Sequence, residues 1–455
     1  MAYERHQQMS IFDFMIQNNL DPDHELMQLS HRIDWDRIVD DLRRYYSPIG
    51  RKAKRIRMMV GLHMLKHLYD RSDEQVVEEL RENVYWMAFC GVSMEEVRKG
   101  KPLRWLDSST MTYFRKRIGP EGMRRIEAVI QDQLLKARRI RPRVMLPDTT
   151  CMEKHIAYPT DSGLLDKGRR KLVKIIRRLQ DNGLSISGTI RSYARLGKKV
   201  LYEINKLGRG NLERMRRPLE QLGEYAEKVM ERVPEVLKGA KRLLENNSLK
   251  EAKRIERLCS ELRVTGERVE RVLRQTKARL LGVHVSDKLY SLHEPQVTCI
   301  TKGKRGKEHE YGCKVSLAID RRGYVVAHRE YWDNRHDTDC LPEGIRDWEE
   351  VTGQVPEVLS ADRGYRYRKG GEPPELLRVK RVVIPGRGKQ KSPEEQSRWF
   401  QRYKRMRVLV EAVISHLKQD HRMGRCRYKG CEGDQINVTL AAMVWNMRKW
   451  IRDTG

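Results

Sequence analysis

No apolar run in the 455 residues approaches the roughly 18 that a membrane-spanning helix needs, which excludes a helical integral membrane protein. The amino terminus lacks a signal-peptide pattern, so a cytoplasmic setting is expected. Zinc-ligand spacing is missing too. The eight cysteines are scattered singly, and the closest two, Cys426 and Cys431, have no second ligand pair beside them. Buried or free thiols in a reducing compartment are expected instead. Acid is in short supply: 63 Asp and Glu face 93 Lys and Arg, for a formal net charge of +30 spread along the chain. That balance calls for a polyanionic partner, nucleic acid being the usual one, although ribosomal and membrane-surface proteins are basic as well.

The length allows two or three domains. Residues 1 to about 120 carry helical apolar spacing at Trp35–Tyr46 and Arg55–Tyr69. Ser72 with Gln75 makes a capping box ahead of a helix that runs on to Trp86 and Phe89. Asp107-Ser108-Ser109-Thr110 is another start signal. These short basic helices suit either a helix-turn-helix DNA-binding module or a plain helical bundle. A short strand, Val144–Leu146, then delivers Asp148 at its end, a rigid mount for a carboxylate. From about Asp166 to Leu281 the chain turns rich in Lys, Arg, Glu and Leu. Apolar stripes run through Leu212, Met215, Leu219 and Leu222, and through Ile255, Leu258, Leu262, Val269, Val272 and Leu273. With a turn at Asn246-Asn247-Ser248 this predicts antiparallel helices.

Strand signals return at Tyr311–Ile319 and Tyr324–Tyr331, a hairpin around Asp320–Gly323. A helix over 339–351, a short strand ending at Asp362 and a strand at 381–385 follow, with a charged link over 386–392. The stretch Tyr403–Lys418 closes the series. Read as one helix, it aligns Tyr403, Arg407, Glu411 and Lys418 in a single stripe, opposite Val408, Leu409, Val413 and Leu417. With the helical insert removed, the order is that of a ribonuclease H-like α/β fold. In that fold the first and fourth strands are neighbours, so Asp148 and Asp362 meet, and the last helix brings Glu411 to them. Three such carboxylates suit Mg²⁺ or Mn²⁺, two ions of which can assist an in-line phosphoryl displacement.

Several blocks carry a family likeness. DTTCMEKHIAYPTDSGLL (148–165), SADRGY (360–365) and the spaced Arg407, Glu411 and Lys418 resemble the signature blocks of bacterial insertion-sequence DDE transposases. The group they are most similar to is the one related to insertion sequence five. Three residues separate Tyr403 from Arg407 where that group's pattern has two. KGKRGKEHEYGCKVSLAID (302–320), the corner Asn334-Arg335-His336-Asp337, and the segments 68–91 and 106–119 are similar to further blocks of the same group.

The resemblance implies an all-α N-terminal DNA-binding or assembly domain over residues 1–125. It implies a ribonuclease H-like core over 140–165 and 285–450, and a helical insertion over 166–284. It further implies a transposase that binds the terminal repeats of its own element, cleaves there and joins the ends to target DNA. Asp148, Asp362 and Glu411 would be catalytic metal ligands for two Mg²⁺ or Mn²⁺ ions, with Tyr403, Arg407 and Lys418 on DNA phosphates. Double-stranded DNA and a second copy of the chain are the implied partners, in a bacterial cytoplasm at the nucleoid. The alternatives are a catalytically silent repressor derived from such an enzyme, and a same-fold nuclease without strand transfer. His336 and Asp337 read equally as support for the site or as a polar turn. Glu153, Tyr158 and Asp161 are assigned no chemistry.

Overall fold

The computed structural model describes residues 19–49, 53–92, 106–207, 212–245, 248–301, 308–368, 370–386 and 392–454. The turn expected at Asn246-Asn247, the start of the block at Lys302 and most of the charged link over 386–392 lie outside them. The chain forms two units, one of Met1–His155 with Ile300–Gly455 and one of Ile156–Cys299.

The first unit opens with helices α1 (Glu25–Arg32), α2 (Trp35–Arg43), α3 (Ile56–Leu68), α4 (Asp73–Glu82), α5 (Val84–Phe89) and α6 (Ser108–Lys136). α3 is buried along nearly its whole length, His63 and His67 included, so it forms the centre of this bundle. The capping box of Ser72 and Gln75 starts α4 as expected. The single helix expected from Ser72 to Phe89 is instead two, because the Asn83 side chain accepts the N–H groups of Tyr85 and Trp86 and opens a new helix there. Asp107 caps α6, and Gly119 at φ 61° kinks it just before Pro120. A positive φ there favours glycine, and proline restarts the helix where its missing N–H costs nothing.

Strand β1 (Val144–Lys154) follows. The second unit holds α7 (Asp161–Gln180), α8 (Ala194–Leu207), α9 (Leu212–Met230), α10 (Val233–Glu245) and α11 (Leu249–Leu280) around a core of their own. The predicted stripes are in it: Met215, Leu219, Leu222, Ile255, Leu258, Leu262, Val269, Val272 and Leu273 are buried, and Leu212 packs against them half-buried.

The chain returns to the first unit within β2 (Thr298–Thr301), and β3 (His309–Asp320), β4 (Val325–Tyr331), α12 (Asp337–Thr352), β5 (Val358–Ser360), α13 (Pro374–Leu377) and β6 (Arg381–Val383) follow. The chain ends with α14 (Pro393–Gln396), α15 (Arg398–Arg405), α16 (Val408–Gln419), β7 (Arg425–Cys426) and α17 (Gly430–Arg452). The result is a helical N-terminal region joined to a mixed sheet of order β2-β3-β1-β5-β6, with β4 paired to β3 and β7 to β1. The β1–β3 and β3–β4 pairs are antiparallel; β1–β5 and β5–β6 are parallel.

β1 corrects one expectation. It does not stop at Leu146 but runs eleven residues, because β3 supplies a ladder from Met145↔Asp320 to Glu153↔Gly312. Asp148 is therefore inside the strand, opposite Leu317. The strand's two faces belong to two cores. Val144, Leu146 and Met152 pack with Val410, Val413 and Leu417 of α16, whereas Met145 packs with the helical bundle and α17. None of the eight cysteines forms a disulfide, and six of them are buried.

Two buried polar groups tie the layers together. Lys154 at the end of β1 donates to Asp434 of α17 at 2.7 Å and to the Gly430 carbonyl at 3.1 Å, and Trp332 Nε1 donates to the other Asp434 oxygen at 3.0 Å. His328 of β4 lies between Glu330 at 2.9 Å and Glu127 of α6 at 3.1 Å. With a carboxylate at each ring nitrogen, both nitrogens donate and the ring is an imidazolium. Burial opposes that charge, but Glu127 and Glu330 outweigh it and hold the pKa up at about 10. A folded pKa above the unfolded one gives stability that is complete below about pH 6.5 and lost as pH rises towards 10. The melting temperature is therefore expected to fall between pH 7 and 10 more steeply in the wild type than in His328→Gln. Lys66, whose pKa burial lowers to about 8, acts with the opposite sign in both proteins and cancels from the difference.

Candidate active site

The parallel pairing of β1 with β5 matches Val144 to Val358 and Met145 to Leu359. Four residues beyond the first pair, Asp148 and Asp362 stand level. By strand alternation Asp148 shares the face of Val144 and Leu146, the face that α16 covers. Asp362 lies just past the end of β5, where its Oδ1 accepts the Gly364 N–H at 2.7 Å and caps a single 3₁₀ turn, Arg363–Tyr365.

Arg407 joins the two. Its Nη2 lies 3.9 Å from Asp148 and 3.8 Å from Asp362, so one cation sits between both carboxylates. The Arg407 Nε is buried and has no hydrogen-bond partner among the described residues. Burial raises the pKa of Asp148 to about 6; the Thr149 N–H and Arg407 pull it down, while Asp362 and Asp337 push it up. Asp148 is thus a desolvated carboxylate that a further positive charge would stabilise.

A third carboxylate stands beside these two. Asp337, the first residue of α12, accepts the Thr149 hydroxyl at 2.7 Å and Lys314 at 3.0 Å. Gly364 separates it from Asp362: a Cβ there would come within 2.9 Å of Asp362 Oδ1 and 3.4 Å of Asp337 Oδ2. Tyr365 is buried next to this group, its hydroxyl has no partner among the described residues, and its pKa is raised first by burial and then by Asp148 and Asp337. His336 caps α12 through the Thr338 N–H, so the corner serves as both turn and support. Lys314, Thr149 and Tyr365 escape the sequence reading, in which the one visible signal is a lysine inside an otherwise apolar strand.

The expected final helix is two helices. Between α15 and α16 the N–H groups of Met406, Arg407, Leu409 and Val410 bond to carbonyls three residues back, which tightens the turn and breaks the four-residue stripe. Tyr403 consequently packs half-buried against the sheet-side core, away from the stripe that a single helix would give it. Val408, expected in the core, is 72% exposed, and Val410 takes its place. Glu411 and Lys418 lie on α16, seven residues apart on one face, with Glu411 exposed one turn after Arg407.

The donors Asp148, Asp362 and Glu411 are hard oxygens of the kind Mg²⁺ and Mn²⁺ take. Two of them already share a cation, and the residues fit a divalent ion in chemistry. Among the described residues no three His, Cys, Asp or Glu side chains close into a metal-holding group.

Residues 14–117 match the family model described as Transposase domain (DUF772), and residues 287–447 the one described as Transposase DDE domain. Asp362, Asp337, Arg407 and Glu411 fall within the second range; Asp148 falls in neither. The chain is also 40% identical over 185 residues to the uncharacterized protein ORF8 in the nfe locus of Rhizobium meliloti, which covers 40% of this chain and 84% of the relative.

Proposed function

The chain belongs to the insertion-sequence transposases, and on that footing we propose that it binds the terminal repeats of its own element, cuts at the ends and joins them to target DNA. The observation that carries the chemistry is the level pair Asp148 and Asp362 with Arg407 between them. Strand order supports a ribonuclease H-like core, since β4-β3-β1-β5-β6 is that fold's sheet with the first and fourth strands adjacent. The blocks around Asp148, Asp362 and Glu411 support the group related to insertion sequence five.

Asp148, Asp362 and Glu411 would hold two Mg²⁺ or Mn²⁺ ions, which when bound supply Lewis acidity to the attacking and leaving oxygens of a phosphodiester. Asp337 fixes the backbone beside Asp148 through the Thr149 hydroxyl. Arg407, freed from the aspartates once their charge is met otherwise, turns its planar fork to a phosphate, and Lys418 adds a point charge on the same helix face. Tyr403, packed half-buried against the sheet-side core, would have to turn outward to reach a phosphate. Water and then a DNA 3′-hydroxyl are the attacking groups, so no covalent enzyme intermediate is required. Two element ends must be held at once, which calls for a dimer or larger assembly on DNA in the bacterial cytoplasm. Among the described residues no helix is long and apolar enough to cross a membrane.

The test is cleavage of a plasmid carrying the element's own ends. Nicks or breaks confined to the end junctions in Mg²⁺ or Mn²⁺, and abolished by EDTA, are expected. Cutting that persists in EDTA removes the metal mechanism; cutting at random positions removes the end recognition.

A further inference from the structure

A second basic site lies within the first unit, built from residues other than the carboxylate group. A cavity of about 530 Å³ opens between the start of α4, the first turns of α6 and the segment Arg422–Asn437. Its inner wall carries two buried cations, Lys66 and Arg115, both bonded to Asp73: Lys66 at 2.6 Å, Arg115 at 3.0 and 2.6 Å. The same two stand over the ring of Tyr428, at 4.8 and 4.4 Å from its centroid. The Tyr428 hydroxyl is buried and has no hydrogen-bond partner among the described residues.

The rim is more basic still. Leaving β7, exposure alternates: Arg425, Arg427 and Lys429 are exposed, while Cys426 and Tyr428 turn inward. The chain leaves the strand extended and bends at Tyr428, so Arg425 and Arg427 stand roughly 6.6 Å apart and Lys429 follows beyond the bend. Arg425 is paired with Glu153 at 3.1 Å. Arg427 and Lys429, together with Lys116 across the cavity, have no acidic partner among the described residues. Lys429 is also the N-cap of α17, which no side chain caps. Gly433 presses the first turn of that 23-residue helix against Tyr428, since a Cβ there would come within 2.7 Å of the tyrosine Cβ. Seven cations (Lys66, Arg115, Lys116, Arg422, Arg425, Arg427 and Lys429) thus line the cavity against three acids, Asp73, Glu74 and Glu432, and the buried Tyr428 hydroxyl in its wall has no partner among the described residues, a balance that favours an anion.

We propose that this cavity is a phosphodiester-binding site that seats the backbone of a DNA duplex. The proposal rests on the reading of the chain as a DNA-handling enzyme and adds where one strand is gripped. A base or free nucleotide is disfavoured because the face a base would stack on is already covered by Lys66 and Arg115. Several cations spread around one rim, Arg427, Lys429 and Lys116, fit successive phosphates better than a single small anion.

The test compares three variants for binding of a fluorescein-labelled duplex by anisotropy between 50 and 300 mM salt. Arg427→Ala with Lys429→Ala is expected to reduce the slope of log affinity against log salt by about two, close to one for each phosphate no longer neutralised. Tyr428→Phe keeps the ring that Lys66 and Arg115 cover and removes only the hydroxyl; about tenfold weaker binding is expected. The control Lys198→Ala with Lys199→Ala removes equal charge from an exposed stretch of α8 and is expected to leave the slope nearly unchanged. Equal losses in the two double variants would mean that overall charge governs binding, and the site would be overturned. Inorganic phosphate forms the second arm, read by thermal shift. If the wild type ignores duplex but phosphate stabilises it through Arg427 and Lys429, the anion site stands and its DNA occupant is overturned. If the wild type binds duplex and the variants match it throughout, the cavity is not where the DNA sits.

Discussion

Asp362→Asn is expected to lower strand cleavage by about 10³-fold or more while duplex affinity stays within about threefold of the wild type. The size follows from the several kcal/mol of transition-state charge stabilisation that a divalent ion gives to phosphoryl transfer. The separation of the two effects follows from the structure. Asp362 is partly exposed past the end of β5, and its Oδ1 accepts the Gly364 N–H. Asparagine has the same shape, and its amide oxygen can still accept that bond, so the 3₁₀ turn survives while the charge proposed to bind metal is lost. Of the two carboxylates beside Arg407, the substitution leaves Asp148. Duplex binding should therefore hold steady or improve slightly as the local field becomes more positive. The measurement is cleavage of end-bearing DNA in Mg²⁺ beside anisotropy on the same duplex. Wild-type cutting by the variant would remove Asp362 from the chemistry. Parallel loss of cutting and binding would recast it as a structural residue.

The second large effect concerns stability. Lys154→Ala should destabilise the first unit by about 3–5 kcal/mol, the usual result of stranding one partner of a buried ion pair. Both side chains are about 3% exposed, so little water screens what remains. Asp434 would keep the Trp332 indole N–H, a neutral donor that cannot balance a buried negative charge. Replacing both partners together, Lys154→Met with Asp434→Leu, should cost much less, because no uncompensated charge is left inside. Urea unfolding followed by tryptophan fluorescence measures this cleanly, since all eight tryptophans lie outside Ile156–Cys299 and report on the first unit alone. Equal costs for the single and double variants would show that packing, not charge, governs the pair.

Much of this is legible in the residues. Ser72 with Gln75, the hairpin around Gly323 and the stripe from Ile255 to Leu273 all act locally, through capping, turn chemistry and helical period. Expectation and structure part where distant chain decides. Nothing near Asp148 shows that β3 will extend its ladder to Glu153, so the residues suggest a strand end at what is mid-strand. Nothing in Tyr403–Lys418 shows that three-residue hydrogen bonds will tighten at Met406 and Arg407 and turn Tyr403 inward. Asp337 reads as a turn residue because its partners, Thr149 and Lys314, are far away in sequence and adjacent only across the folded sheet.

The placement of Asp148 inside a strand divides mechanical labour within the site. A carboxylate on a backbone laddered to β3 behaves as a fixed jaw. Asp362, on a single 3₁₀ turn, and α16, entered through the tight bend at Arg407, are held opposite it by local hydrogen bonds alone rather than by a long ladder. On the proposed function, hydrolysis and strand joining would present differently shaped phosphodiesters in succession, and the accommodation between them would fall to that second side. Stiffening the bend at Met406–Arg407 should then separate the two steps, slowing joining more than the first cut.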